Sequence, residues 1–166
     1  VLGNPDGDVT VVVFYDYNCG FCKRAMNDMI SLLDKDSNIR FVLKEFPILG
    51  PDSLAAHRVA MSFRALAPEK YGEYHMQLLG ADVRATEDHA IEMAKSFGID
   101  EAELRAGMDD PAIDQSIRQT YELANALGIS GTPSFVIGDE AVFGAVGEDV
   151  LSEKIANMRQ CESTIC

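Results

Sequence analysis

A chain of 166 residues suits one folded unit, or one unit with an insertion, and can bury roughly 70 % of its unfolded surface without cross-links. With 47 % hydrophobic and 25 % charged residues it is not a disordered chain, and a formal net charge of −13 argues against nucleic acid or an anionic membrane surface as partner. No apolar run approaches the roughly 20 residues that cross a bilayer.

Asn4-Pro5-Asp6-Gly7 reads as a turn. The β-branched and aromatic run Val9-Thr10-Val11-Val12-Val13-Phe14-Tyr15 then predicts a buried strand. Met26, Met29, Ile30 and Leu33 recur at three- and four-residue spacing, which predicts an amphipathic helix over 20–34. A second strand is expected over 39–46, closed by Pro47 and the Leu49-Gly50-Pro51 turn, so that strand, crossover helix and strand form a parallel unit.

From Ser53 to about Met108 no strand signal appears. Segments rich in Ala, Leu and Met, broken at Ala67-Pro68, Gly80, Gly98 and Asp100, predict a helical block in which Met61, Met76, Met93 and Met108 fill the core. Thr86, and Asp100 with Glu103, have the spacing of helix caps. Asp110-Pro111 supplies an N-cap and a first-turn proline for a helix with Ile113, Ile117, Tyr121, Ala124 and Leu127 on one face, ending at Gly128. Strands at 134–137 and 141–143 make a hairpin around Gly138-Asp139-Glu140, and a last helix covers about 148–158. The expected fold is α/β, a mixed sheet with helices on both faces, in which residues 1–50 and 109–166 form the main domain and 51–108 a helical insertion.

The chemistry-bearing motif is Cys19-Gly20-Phe21-Cys22. Two cysteines two residues apart, after a strand and opening a helix, can cycle between dithiol and disulfide. The helix N-terminus favours the Cys19 thiolate, the attacking species in exchange. The same spacing forms half of many zinc sites, but Cys161 and Cys166 have the wrong spacing for a second pair of ligands. His57, His75 and His89 fall in separate helical segments, so no metal site is expected. Cys161 and Cys166 read as a local disulfide after the last helix.

Phe14-Tyr15-Asp16-Tyr17-Asn18-Cys19-Gly20-Phe21-Cys22-Lys23, followed more than 100 residues later by Gly128-Ile129-Ser130-Gly131-Thr132-Pro133-Ser134-Phe135, resembles the DsbA-like thiol–disulfide oxidoreductases of the thioredoxin superfamily. The resemblance implies a thioredoxin fold (β-α-β, then α-β-β-α) with an all-helical insertion between the halves. It implies that Cys19 is the exposed nucleophile and Cys22 the resolving thiol. It also implies that Thr132-Pro133 is a cis bond whose loop, with Gly20 and Phe21, faces the client backbone. One departure stands out: thioredoxins carry a buried acid six residues before the nucleophile, and here that position is Val13. Lys44 and Glu45 are alternative proton carriers by location, with a solvated strand end as the competing reading.

The resemblance thus implies disulfide exchange in exported polypeptides, chiefly as oxidant. An isomerase or reductase of the same fold, and a chaperone-like binding module with structural cysteines, are the alternatives. No cofactor is expected beyond the redox-active Cys19–Cys22 disulfide; the partners are client thiols and a redox protein that recycles the site. A chain opening at Val1-Leu2-Gly3 without an initiator methionine suits a processed, exported product, periplasmic or attached peripherally to the envelope, with no membrane insertion of its own.

Overall fold

The computed structural model describes residues 1–166. Five strands, β1 (Leu2–Gly3), β2 (Val9–Tyr15), β3 (Ile39–Glu45), β4 (Ser134–Ile137) and β5 (Glu140–Phe143), form one mixed sheet in the order β1-β3-β2-β4-β5. The helices are α1 (Gly20–Lys35), α2 (Pro51–Leu66), α3 (Tyr71–Gly80), α4 (Glu87–Ser96), α5 (Glu101–Met108), α6 (Pro111–Ala126) and α7 (Glu148–Cys161), with a 3-10 turn over Pro68–Lys70. Two compact units emerge: Val1–Tyr15, Cys19–Lys44 and Ala124–Cys166 in the first, Asp16–Asn18 and Glu45–Leu123 in the second. The insertion expected at 51–108 lies inside the second unit.

In the first unit β2 is the central strand, and Val9, Val11 and Val13 are buried in alternation before Phe14 and Tyr15, both also buried. Antiparallel β4 sets Val11 opposite Ile137 and Val13 opposite Phe135. The hairpin turn is tighter than expected, because Glu140 already pairs with Ile137 in β5 and leaves only Gly138-Asp139 in the loop. Gly138 has φ 57, the sign that glycine adopts at the first position of such turns. Strand β1 carries no sequence signal, being two residues long. It forms because Gly3 lets the backbone approach closely: a Cβ there would lie 2.5 Å from the Ile39 carbonyl oxygen.

Helices α1 and α7 pack on each other, and Arg159 ties the unit's ends together. Its guanidinium grips Asp8 (2.8 Å) and Asp36 (2.6 Å), which holds both carboxyls below the usual range. The last helix runs further than expected, so that Cys161 is its final residue, joined in a disulfide to Cys166, five residues on. The tail folds back so that Asn157 Nδ2 donates to the Thr164 carbonyl at 2.9 Å.

The second unit follows the predicted caps closely. Thr86 Oγ1 accepts from His89 N–H at 3.2 Å and Asp100 Oδ2 from Glu103 N–H at 3.1 Å. Its interior is polar as well as apolar. Phe63 and Tyr74 stack at 4.1 Å between centroids, and nearby a chain of buried groups runs His75, Tyr17, His57, Glu45, Tyr71. The Tyr17 hydroxyl and His75 Nδ1 share a hydrogen bond at 3.0 Å, and the Tyr17 backbone N–H donates to His57 Nε2 at 3.2 Å. A backbone N–H can only donate, so Nε2 carries the lone pair and the His57 proton sits on Nδ1, which donates to Glu45. Tyr71 donates to the other oxygen of the same carboxylate. Glu45, 4 % exposed, is therefore not the solvated strand end considered from sequence.

Burial pushes the His75 imidazole down to about 4, with partial opposition from the Glu45 charge. A base held neutral in the fold binds fewer protons than in the unfolded chain between pH 4 and 6.5. Stability should therefore be full above pH 6.5 and fall as the pH drops towards 4, by roughly 3 kcal/mol in urea unfolding. His75 titrating near pH 6.5 by NMR would contradict this. The tail disulfide closes only a short loop, so the double Cys161→Ser, Cys166→Ser variant should unfold about 2 kcal/mol more easily in urea.

Candidate active site

Cys19 is the N-cap of α1, with φ −87 and ψ 111, and its backbone carbonyl accepts from the N–H groups of Cys22 (3.1 Å) and Lys23 (3.2 Å). Its sulfur stands where a serine or aspartate oxygen would cap a helix: the Cys22 N–H reaches Cys19 Sγ at 3.1 Å. On the other side the Cys19 thiol donates to the Thr132 carbonyl oxygen at 3.4 Å. These two contacts act in opposite senses. The N–H favours the thiolate, whereas the carbonyl can hold only the protonated thiol.

The sulfur pays for this embrace in exposure. Cys19 is 5 % exposed and Cys22 2 %, so the exposed nucleophile implied by the resemblance is corrected to one with a small opening. The reason is geometric: a side chain folded onto its own helix end and against the Thr132 carbonyl leaves little surface to water. The large exposed side chain of the motif is Phe21, 60 % exposed, while Gly20 has nothing within 4 Å of the position a Cβ would occupy.

Thr132-Pro133 is cis and opens β4 beside Cys19. The Pro133 carbonyl accepts from Gly144 N–H at 2.8 Å, and Ser134 Oγ donates to the Gly131 carbonyl at 2.8 Å. Ser130, Thr132, Pro133, Ser134, Phe143 and Gly144 line an open hollow of about 390 Å³ that bears no charged side chain. All six residues anticipated at the site, Cys19, Gly20, Phe21, Cys22, Thr132 and Pro133, thus lie on the first unit.

The three residues before Cys19 belong to the second unit and carry an arrangement that sequence reading missed. Asp16 is fully buried, and its carboxylate accepts from Ile48 N–H (2.8 Å), Leu49 N–H (3.0 Å), Asn18 N–H (2.8 Å) and Ser53 Oγ (2.8 Å). Four donors satisfy a charge that water cannot reach. Asn18 pairs with Ala85 in both directions, Oδ1 accepting from its N–H at 2.7 Å and Nδ2 donating to its carbonyl at 3.0 Å. Apart from the Asn18 N–H, two residues from Asp16, these partners lie 32 to 67 residues away, and no local spacing announces them. Val13, at the position of the thioredoxin acid, is buried opposite Phe135. Of the two alternative proton carriers named from sequence, Glu45 is bonded to His57 and Tyr71, and Lys44 is half-buried at the end of β3.

Comparison with known proteins bears on the family and the fold. A family model described as the DSBA-like thioredoxin domain matches residues 10–156. The crystal structure of a thioredoxin-like oxidoreductase from Silicibacter pomeroyi DSS-3 is 41 % identical, with a TM-score of 0.91 over 96 % of this chain and 91 % of that one. The thiol-disulfide exchange protein alpha-DsbA2 from Wolbachia pipientis is 34 % identical, with a TM-score of 0.85 over 94 % of this chain and 84 % of that one. Disulfide bond formation protein D of Bacillus subtilis (strain 168) is 23 % identical over 93 % of this chain and 74 % of its own length. The chain also matches Na(+)/H(+) antiporter NhaA 3 of Salinispora tropica, 23 % identical over 93 % of this chain, but spans only 24 % of that protein. With the family model matching residues 10–156 and two solved structures 41 % and 34 % identical over more than nine-tenths of its length, the chain belongs to the DSBA-like thioredoxin domain family.

Proposed function

We propose that the protein oxidises thiols of exported polypeptides through a Cys19–Cys22 disulfide, without a further cofactor. A client thiolate attacks Cys19 Sγ, the Cys19–Cys22 bond breaks, and Cys22 leaves as a thiolate that takes up a proton. A second client thiolate then attacks the client sulfur of the mixed disulfide and releases the Cys19 thiolate. The client loses two electrons and gains a disulfide; the protein gains two electrons and becomes the dithiol. A separate redox protein accepts those electrons and restores the disulfide.

The observation that carries this reading is the Cys22 N–H directed at Cys19 Sγ on the first turn of α1. A donor aimed at the sulfur, with the partial positive charge of the helix end behind it, stabilises the thiolate and so the released form of Cys19. Stabilising the released thiolate favours the reduced protein, which is what an oxidant needs. An exported location is supported by the tail: Cys161 and Cys166 are both exposed, and an exposed disulfide persists only where the surroundings are oxidising.

Alkylation of the reduced protein with iodoacetamide tests the role of Cys19. Its rate should rise with a midpoint below the value of about 8.5 for a free cysteine, Cys22 should react more slowly, and Cys22→Ser should accumulate mixed disulfides with a client peptide. Equal alkylation of both thiols would overturn the assignment.

The direction of exchange is tested by thermal melts of the two redox forms at pH 7. The dithiol form should melt higher, the reverse of an ordinary cross-link. A thiolate whose titration is depressed in the fold contributes stability above the unfolded value, so the advantage should shrink as the pH falls through the Cys19 titration. A disulfide form that melts higher at every pH would favour a reductase or isomerase.

A further inference from the structure

Beside the nucleophile, α1 carries a pair of side chains that the exchange chemistry does not use. Phe21 is the most exposed aromatic residue of the chain, and the guanidinium of Arg24, one turn along the same helix face, lies 5.0 Å from the centre of its ring. Arg24 is itself exposed and joins no ion pair. Acidic residues outnumber basic ones 27 to 14 here, and Arg58, Arg84, Arg105 and Arg159 each find a carboxylate. The first turn of α1 has no acidic residue at all. Arg24 joins no carboxylate, as is true also of Arg40, Arg64 and Arg118, but its exposed charge stands in the motif's own helix, open to a carboxylate from outside the chain.

Resting on the oxidant reading above, we propose that Phe21 and Arg24 select clients that carry an acidic side chain about two residues from the cysteine being oxidised. The spacing follows from geometry. Arg24 lies five residues beyond the N-cap Cys19, about 7.5 Å along the axis at 1.5 Å per residue, and an extended client advances about 3.3 Å per residue. With the client sulfur at Cys19 and the client running alongside α1, the side chain two positions away reaches the guanidinium, whose planar fork donates two parallel hydrogen bonds to a carboxylate. The face of Phe21 offers an apolar neighbour its contact, while the Thr132-Pro133 hollow on the other side of Cys19 bears no charge and leaves the electrostatic choice to α1.

The net charge of −13 repels an acidic client only at long range. Charges farther than about 8 Å are screened at physiological ionic strength, so the adjacent Arg24 outweighs distant carboxylates once the client is docked.

The test uses the oxidised full chain and short single-cysteine peptides that differ only in having Asp, Asn or Lys two residues from the cysteine. Each rate of mixed-disulfide formation is divided by the same peptide's rate with an uncharged disulfide, 2-hydroxyethyl disulfide, which removes the effect of the charge on the peptide thiol itself. The Asp peptide should react about three to five times faster than the Lys peptide at about 0.15 M salt, as for a well-formed exposed ion pair, and the ratio should approach one in about 1 M salt. Arg24→Gln should collapse the ratio to about one, and Arg24→Glu should invert it. Equal rates for all three peptides, or a preference that survives in Arg24→Gln, would overturn the selection while leaving disulfide exchange in place. No reaction with any peptide, in a protein whose Cys19–Cys22 disulfide has been verified, would instead overturn the oxidant reading and this inference with it.

Discussion

An α-helix begins with backbone N–H groups that no residue of the helix can satisfy, and in this protein one of them points at sulfur. The bond from Cys22 N–H to Cys19 Sγ serves as a helix cap and as an activating contact for a nucleophile. The two roles are inseparable, because the donor that completes the first turn is the donor that favours the thiolate. Everything near the motif respects that constraint. Strand β2 delivers the chain to the cap, Gly20 leaves the first helical position uncrowded, and the Thr132 carbonyl lies on the far side of the sulfur. A weak acceptor facing a developing anion keeps the thiolate from being stabilised without limit.

Burial of charge follows a different plan from the one the thioredoxin resemblance implies. The place of the buried acid on β2 is taken by Val13, which packs opposite Phe135. Two other carboxylates are buried instead, both in the second unit, and each is fully engaged. Asp16 collects four donors from Asn18, from the loop leading to α2 and from Ser53 of α2, and Glu45 accepts hydrogen bonds from His57 and Tyr71. A buried carboxylate is tolerated only when its oxygens are satisfied in this way. The result is a helical unit fixed as much by polar geometry as by apolar packing, with Tyr17 as the residue through which both histidines are joined.

The surface adds a contrast of scale. The chain as a whole is acidic, yet the first five residues of α1 include Lys23 and Arg24 and no acid. Because screening confines each exposed charge to its neighbourhood, overall charge governs solubility while the local pattern beside Cys19 governs what that cysteine meets.

Periodicity was enough to place the elements that carry the motif and the hairpin, whereas α2 to α5 were legible only as one helical block. β2, β3, α1, α6 and the hairpin are written in patterns that repeat every two or every 3.6 residues, and the caps at Thr86 and Asp100 are written three residues from the groups they bind. The reactive pair was legible for the same reason: Cys19 and Cys22 are close in sequence, and a strand before and a helix after them define their setting. What the sequence could not express is whatever depends on residues far apart along the chain. Leu2-Gly3 becomes a strand only because Ile39–Glu45 lies beside it. Asn18 is committed by Ala85, Glu45 by His57 and Tyr71, and Tyr17 by His75. The small opening left to Cys19 likewise depends on Thr132, 113 residues away. Local chemistry and repeat spacing determined the elements and the motif; burial, protonation and access were decided by tertiary contact, because each depends on which distant group excludes water from a given atom.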